Sequence, residues 1–197
     1  FERGYGTQKP QRPSWSQPTR GKRVVVAHSL GLHLIPSDVL SAAGAVVRLT
    51  CFSRFVPDGP AGRSLRTGLK GMESKLGTPE ETGMLRTFLE RCALRHPVTA
   101  LPAQPLLQGL ASPGRERLQE DLVLLRHCQQ LPADWPAQAA VLVVQGEQDA
   151  IVCDRSRKAL LQDLPSGQFQ QISLPDDGHA LVTPSVLALV QNWVENV

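Results

Sequence analysis

Short runs of hydrophobic, mostly β-branched residues recur along the chain and predict buried β-strands. The clearest runs cover residues 23–27, 45–52 and 140–145, and a weaker run covers 169–174. Their short length and high valine content are typical of strands that are covered on both faces.

Helix signals lie between these runs. Thr78-Pro79-Glu80-Glu81 places Thr at an N-cap and Pro in the first turn, and predicts a helix that continues to His96 before Pro97. Ser112-Pro113 predicts a second helix, and Thr183-Pro184 predicts the last one, through Trp193. A further helix fits residues 155–164. In the second helix, Leu118, Leu122 and Leu125 share one face.

The order of these elements predicts an α/β fold. Strands and helices alternate at both ends of the chain, which favours a mostly parallel sheet with helices packed on its faces. The helical segment 57–137 interrupts this alternation, so we predict a helical cap, or lid, inserted into a core made of residues 1–56 and 138–197. Residues 7–22 contain Pro10, Pro13 and Pro18 and predict a loop.

Composition excludes several classes of protein. The 197 residues are 41% hydrophobic and 20% charged, which excludes a mainly disordered chain. No apolar run reaches the ~18–20 residues of a membrane helix. The net charge of +3 is too small to indicate nucleic-acid binding.

The cysteines Cys51, Cys92, Cys128 and Cys153 are scattered and form no CxxC pair. This spacing suits a reducing cytosol better than a disulfide framework, so we expect a cytoplasmic protein. The sequence contains no GxGxxG motif, P-loop or metal-ligand cluster, and we expect neither a cofactor nor a metal. We also expect a monomer.

The sharpest chemical motif is Ala27-His28-Ser29-Leu30-Gly31, directly after the first predicted strand. A serine on a tight strand-to-helix turn exposes its hydroxyl at the edge of a sheet, and small neighbours fit that crowded backbone. Ala27 stands where the usual motif has glycine. From this pentapeptide alone, a nucleophile and a serine that merely caps the next helix are equally good interpretations.

A nucleophilic serine needs a base and a carboxylate that orients the base. Asp149 follows the third predicted strand, and His179 follows the fourth. The order Ser, Asp, His and the position of each residue after a strand agree with a hydrolase triad.

Other acidic residues and histidines near these positions have simpler interpretations. Asp154 begins the next predicted helix, Glu147 faces solvent or shapes its turn, and Asp176 and Asp177 shape the turn before His179. We expect His33, His96 and His127 to be surface or packing residues, while His28 lies within the Ser29 motif.

With these motifs in this order, the sequence resembles the α/β-hydrolase family over nearly its whole length. Phe1-Glu2-Arg3-Gly4-Tyr5-Gly6 is similar to the strand and turn that precede the nucleophile, and 27–31, 146–149 and 178–180 are similar to the nucleophile, acid and histidine loops. The resemblance implies that Ser29 is the nucleophile, His179 the general acid and base, and Asp149 its orienting acid. It also implies that the Leu30 backbone N–H donates to the oxyanion.

The chain departs from the family pattern in two places. The loop that supplies a second oxyanion donor precedes the family's first conserved turn, so we expect the N-terminal strands and that loop to lie outside this sequence. The alternative is that the protein has only one oxyanion donor, and losing the second costs about 10²–10³-fold in rate. The family's helix before the nucleophile is replaced by the proline-rich segment 7–22. In addition, Pro36 predicts a short or kinked helix after Ser29.

Within the family, residues 29–36 and 51–57 resemble the cyanobacterial type of pimeloyl-[acyl-carrier protein] methyl ester esterase. That resemblance implies hydrolysis of a methyl ester in biotin biosynthesis, with an acyl carrier protein as partner.

The charge pattern adds a candidate surface for such a partner. Residues 48–126 hold 12 Lys and Arg against 8 Asp and Glu, and a basic cap would steer an acidic carrier protein. We expect Arg91 and Arg95 to share a helix face, with Arg115 and Arg126 near opposite ends of the next helix. Solvated helix faces explain the same arginines. An esterase or thioesterase acting on a free small substrate, and a non-catalytic binding protein on the same scaffold, remain open alternatives.

Overall fold

The computed structural model describes residues 1–16, 21–101, 106, 108–165, 169–181 and 183–197. Within these ranges the chain forms a four-stranded sheet of β1 (Val24–His28), β2 (Ala45–Leu49), β3 (Ala140–Gly146) and β4 (Phe169–Leu174). Neighbouring strands are parallel and lie in the order of the sequence, with Val24 paired to Ala45, Ala45 to Ala140, and Val141 to Phe169. The predicted parallel sheet is therefore confirmed.

The carboxyl ends of all these strands lie at one edge of the sheet, because the strands are parallel. β2 ends at Leu49, three residues earlier than the predicted run, since Thr50 takes a φ of 45° that leaves the extended conformation.

The described residues include the α-helices α1 (Gly31–Leu34), α2 (Ser37–Leu40), α3 (Arg63–Lys75), α4 (Glu81–Ala93), α5 (Ser112–His127), α6 (Asp154–Asp163) and α7 (Pro184–Asn196). Pro36 separates the short helices α1 and α2, as the sequence predicts. Thr183 caps α7 by accepting a hydrogen bond from Val186 N–H at 3.3 Å, and α7 continues past Trp193 to Asn196.

Different helices cover the two faces of the sheet. On one face, alternate residues of β2 and β3 pack against α7: Ala45, Val47, Leu142 and Val144 against Val186, Val190 and Trp193. On the opposite face, Val46 packs against α2, and Val141 and Val143 pack against α6. Because both faces are covered, apolar residues fill consecutive positions of these strands, 45–47 in β2 and 140–144 in β3, rather than alternate ones.

Helices α3 and α5 pack on the residues that follow β2. Leu69 of α3 and Leu122 of α5 contact a cluster that includes Phe52, Phe55 and Val56. Leu118 and Leu125 join the same cluster, which confirms the predicted face of α5. The division of the chain into a core and an inserted cap at 57–137 stays a prediction.

Helix α4 is shorter than predicted at both ends. Residues 78–80 form a turn closed by Glu81 N–H and Thr78 O at 3.1 Å, so the helix starts at Glu81. At the other end, the Cys92 carbonyl accepts a hydrogen bond from Ala180 N–H, and His96 N–H donates to Ala93 O instead. The last predicted turn is thus opened by a contact with the loop that follows β4.

The N-terminal segment forms a turn without the predicted strand. Arg3 donates two hydrogen bonds to the buried Asp121 carboxylate of α5, at 2.8 and 2.6 Å, and Tyr5 donates a third. Gly4 takes a φ of 79° at this turn. These side-chain contacts direct the segment onto α5 rather than into the sheet. The predicted loop 7–22 has no regular structure over its described residues, and 17–20 lie outside them.

No helix in the described ranges is long and apolar enough to cross a membrane. Cys51, Cys92, Cys128 and Cys153 are free thiols.

Candidate active site

Ser29 lies on the tight turn between β1 and α1, as the sequence predicts. Its φ of 54° is in the left-handed region, which non-glycine residues occupy only when their surroundings hold them there. The Ser29 N–H donates to Leu49 O at 3.0 Å, which ties the turn to the end of β2. The neighbouring Ala27 is 3% exposed. A larger residue would have little room there, so alanine replaces the usual glycine without loss of the turn.

The structure brings the three residues proposed from the sequence into one chain of contacts. Ser29 Oγ lies 3.0 Å from His179 Nε2, and His179 Nδ1 lies 2.9 Å from Asp149 Oδ2. The side chains of His179 and Asp149 are 3% and 0% exposed. Asp149 accepts a hydrogen bond from Nδ1–H, so the proton of the neutral imidazole lies on Nδ1 and Nε2 is free to accept the serine proton.

The Asp149 carboxylate is held as an anion. Its Oδ1 accepts hydrogen bonds from the backbone N–H groups of Ile151 and Val152 at 2.7 and 2.9 Å. Desolvation by burial opposes ionisation. The hydrogen bond from His179, its charge and these two N–H groups nevertheless lower the pKa of Asp149 below its usual value. An ionised Asp149 is the form that orients and stabilises a protonated His179.

His28 and Thr50 hold the backbone of His179, a pairing that the sequence did not predict. His28 Nε2 lies 2.8 Å from the His179 carbonyl oxygen, and Thr50 Oγ1 donates to the same oxygen at 3.0 Å. The rings of His28 and His179 are 5.1 Å apart. The only sequence signal for Thr50 is its position directly after β2.

The competing carboxylates lie elsewhere. Asp154 begins α6 and forms an ion pair with Lys158 at 2.8 Å, and Glu147 is exposed. Asp177 accepts a backbone hydrogen bond from Gln148 N–H and faces His96 at 3.4 Å. The hydrogen bond between Gln148 and Asp177 joins the acid loop to the histidine loop. Asp149 is the carboxylate that contacts the His179 ring.

The remaining histidines have packing or surface roles, as expected. His33 stacks on Phe52 with ring centroids 5.4 Å apart and contacts the Phe52 carbonyl at 2.9 Å. His127 is exposed on α5 and lies against Val123 O of the same helix.

The Leu30 backbone N–H follows the serine at the start of α1. Among the described residues it has no hydrogen-bond acceptor within the protein, so it is free to donate to a substrate oxygen beside Ser29. Its oxyanion role stays a prediction.

Ser29 and His179 line a cavity of about 1610 Å³. Helices α3, α4 and α5 contribute a largely apolar part of its lining. It includes Leu65, Leu69, Phe88, Leu89, Leu118 and Leu122. Such a lining suits the hydrocarbon part of a substrate.

Two of the four arginines of the predicted basic surface are held in ion pairs with glutamates. Arg115 forms an ion pair with Glu81 at 2.6 Å, and Arg126 forms one with Glu73 at 2.8 Å. Arg91 is exposed on α4. The prediction that Arg91 and Arg95 share a helix face is wrong, because α4 ends at Ala93 and Arg95 follows with a φ of 80°. Contact of any of these arginines with a partner stays a prediction.

Within the described residues, no group of three or more His, Cys, Asp or Glu side chains is arranged to hold a metal ion.

No protein-family model and no curated protein matches this chain. Several solved structures are similar to it. The alpha/beta hydrolase MGS-M2 from a Medee basin deep-sea metagenome library has a TM-score of 0.61 and 14% identity, over 89% of this chain and 64% of that one. The esterase EaEST from Exiguobacterium antarcticum has a TM-score of 0.59 and 14% identity, over 89% and 66%.

A thermophilic esterase from Thermogutta terrifontis, solved with malate bound, has a TM-score of 0.59 and 19% identity, over 89% of this chain and 65% of that one. The chain therefore spans just under two thirds of the length of each of these structures. The parallel strand order, the flanking helices and these similarities together show that the chain has an α/β-hydrolase fold.

Proposed function

We propose that the protein is a serine hydrolase of carboxylic esters. The observation that carries this proposal is the continuous hydrogen-bond path from Ser29 through His179 to the ionised Asp149. A serine that merely caps a helix has no need of a buried imidazole on its hydroxyl or of a carboxylate behind it.

The geometry supports an acyl-enzyme mechanism. Ser29 Oγ attacks the ester carbonyl carbon while its proton moves to His179 Nε2, and the Leu30 N–H donates to the oxyanion that forms. The tetrahedral intermediate collapses, the carbon–oxygen bond of the ester breaks, and His179 gives its proton to the departing alcohol. Water then attacks the acyl-enzyme with His179 as base, which releases the carboxylic acid and restores the Ser29 hydroxyl.

For the substrate, we propose the methyl ester of a pimeloyl group carried by an acyl carrier protein, in biotin biosynthesis. The similarity of residues 29–36 and 51–57 to the corresponding esterases supports this choice. The apolar cavity beside Ser29 also has room for the seven-carbon chain. Arg91 and Arg95 are exposed and could contact the acidic carrier protein.

A second candidate is an esterase of a free, hydrophobic ester. The ion pairs of Arg115 with Glu81 and of Arg126 with Glu73 favour it, because they neutralise half of the arginines expected to attract a carrier protein. The cavity and the hydrogen-bonded path serve either substrate equally well.

Hydrolysis assays on the wild type and on Ser29→Ala separate these proposals. The substrates are methyl pimeloyl-carrier protein and free methyl pimelate. Turnover that prefers the carrier-bound ester and is lost in Ser29→Ala supports the full proposal. Comparable turnover of both esters, again lost in the variant, supports the second candidate. No turnover of either ester and no labelling of Ser29 by a fluorophosphonate contradict the esterase proposal and favour a non-catalytic binding protein.

A further inference from the structure

The catalytic geometry proposed above depends on a residue in a loop. His179 follows β4 and precedes α7, so no strand or helix ladder fixes its backbone. Its ring must nevertheless keep one nitrogen at 3.0 Å from Ser29 Oγ and the other at 2.9 Å from Asp149 Oδ2. Some other contact must hold the main chain of this residue in place.

The structure shows two such contacts, and both end on the same atom. The carbonyl oxygen of His179 accepts from Thr50 Oγ1 at 3.0 Å and from His28 Nε2 at 2.8 Å. A carbonyl oxygen has two lone pairs, so these donors satisfy it fully. Because a carbonyl only accepts, the proton of His28 lies on Nε2.

The two donors stand on the rigid part of the molecule. His28 is the last residue of β1 and directly precedes Ser29, and Thr50 directly follows β2. Thr50 is 1% exposed, and its N–H donates to Val144 O of β3 at 2.9 Å. The sheet edge that holds the nucleophile thereby also holds the backbone of the base.

The conformation of Thr50 indicates that its hydroxyl is placed for this contact. Its φ of 45° is unusual for a β-branched residue, and such a conformation persists only when its surroundings impose it. His28 is exposed as a whole residue. Desolvation of the ring and the nearby His179 nevertheless lower the pKa of His28, which keeps the ring neutral and able to donate from Nε2.

We propose that His28 and Thr50 are positioning residues, which clamp the His179 carbonyl and so aim its imidazole between Ser29 and Asp149. The proposal rests on the esterase function proposed above. Neither residue exchanges a proton with substrate. Their removal should therefore lower kcat and leave KM almost unchanged.

Matched substitutions test the Thr50 contact. Thr50→Val keeps the shape of the side chain and removes the donor, while Thr50→Ser keeps the donor. We expect kcat to fall about 10-fold in Thr50→Val with KM within about twofold of wild type, and Thr50→Ser to keep most of kcat. For His28, we expect Met, which has no donor, to lower kcat, and Gln, which retains an N–H donor, to recover part of the loss.

Two further measurements distinguish positioning from a structural role. The rate at which a fluorophosphonate labels Ser29 should fall in parallel with kcat. In addition, the strongly downfield proton NMR signal of His179 Nδ1–H bound to Asp149 should shift or broaden in Thr50→Val but not in Thr50→Ser. Assays are run well below the melting temperature of each variant.

The outcomes are separable. Equal kcat, equal labelling rate and an unchanged Nδ1–H signal in Thr50→Val and Thr50→Ser would overturn the clamp, as would a variant that loses only thermal stability. If the wild type neither hydrolyses esters nor reacts with the fluorophosphonate, the proposed function fails. In that case the NMR comparison still decides whether Thr50 orients His179.

Discussion

Gly146 connects the strand that carries the acid loop to the loop that carries the base. It is the last residue of β3 and lies three positions before Asp149. A Cβ atom at this position would collide with the backbone carbonyl oxygens of Asp177 and Gly178. Because backbone atoms cannot swing aside as a side chain does, Gly146→Ala must displace the histidine loop.

The expected size of the effect follows from this collision. Restoring ordinary contact requires a shift of roughly 1 Å, and a misplacement of that size costs about 10²-fold in rate. Gly178 directly precedes His179, so the shift reaches the contacts with Ser29 and Asp149. We therefore expect kcat/KM of Gly146→Ala to fall about 10²-fold, and its free energy of unfolding to fall by about 1–3 kcal/mol.

Steady-state hydrolysis of a chromogenic ester and urea denaturation measure the two quantities. Gly71→Ala is the matched control, since Gly71 lies within α3 and nothing is within 4 Å of an added Cβ. We expect this control to keep wild-type kcat/KM and to gain up to about 1 kcal/mol of stability, as alanine favours a helix over glycine. If Gly146→Ala keeps the kcat/KM and stability of the wild type, the inferred coupling between the two loops is wrong.

Three other substitutions probe separate contacts. Asp149→Asn should lower kcat about 10³–10⁴-fold, because it removes the negative charge beside His179 and no longer fixes the His179 proton on Nδ1. A kcat near that of the wild type would exclude Asp149 as the orienting acid. The pKa of Asp149 is lowered on folding, so its anion stabilises the native state above the ordinary aspartate pKa, and that contribution disappears as the pH falls. The urea midpoints of wild type and Asp149→Asn should therefore converge below about pH 4. Arg3→Met removes two hydrogen bonds from the buried Asp121 carboxylate and should lower the free energy of unfolding by about 2 kcal/mol, whereas an unchanged urea midpoint would show that this ion pair contributes nothing net. Thr183→Ala removes the cap on Val186 N–H and should cost about 1 kcal/mol without changing kcat; a large drop in kcat would show that α7 also positions His179.

Much of the fold could be predicted because its signals are local. The central strands β2 and β3 are short runs rich in β-branched residues that are buried on both faces, whereas β1 and β4 at the edges keep exposed positions such as Val26. The positions of Asp149 and His179 followed from strand order, since the carboxyl ends of parallel strands share one edge of the sheet.

The ends of α4 could not be predicted, because contacts with distant residues set them. Glu81 accepts a hydrogen bond from Gly77 N–H and pairs with Arg115 of α5, at the point where the sequence predicted a helix already in progress. Ala180 takes the carbonyl of Cys92 that the last helical turn would have used. A capping motif in the sequence reports only on residues within a few positions, so it does not predict either of these long-range contacts.

The same limit applied to side chains at the site. The Thr50 hydroxyl and the His28 ring meet one carbonyl oxygen more than 100 residues away in sequence. The arginines of α5 likewise pair with carboxylates of other helices, Arg126 with Glu73 of α3 and Arg115 with Glu81 of α4. Residue type and spacing indicated which side chains could contribute to the site or to a basic surface. Ion pairs and hydrogen bonds between separate elements determined which of these side chains are available for that role.

The left-handed backbone of Ser29 affects how this sequence can evolve. A non-glycine residue at such a φ carries a cost of order 1–3 kcal/mol, most of which glycine avoids. Selection for thermal tolerance alone would therefore favour Ser29→Gly, a more robust protein without its nucleophile. Heat resistance and turnover are in conflict at this residue. A library screened for thermostability should accordingly be scored for hydrolysis in the same round.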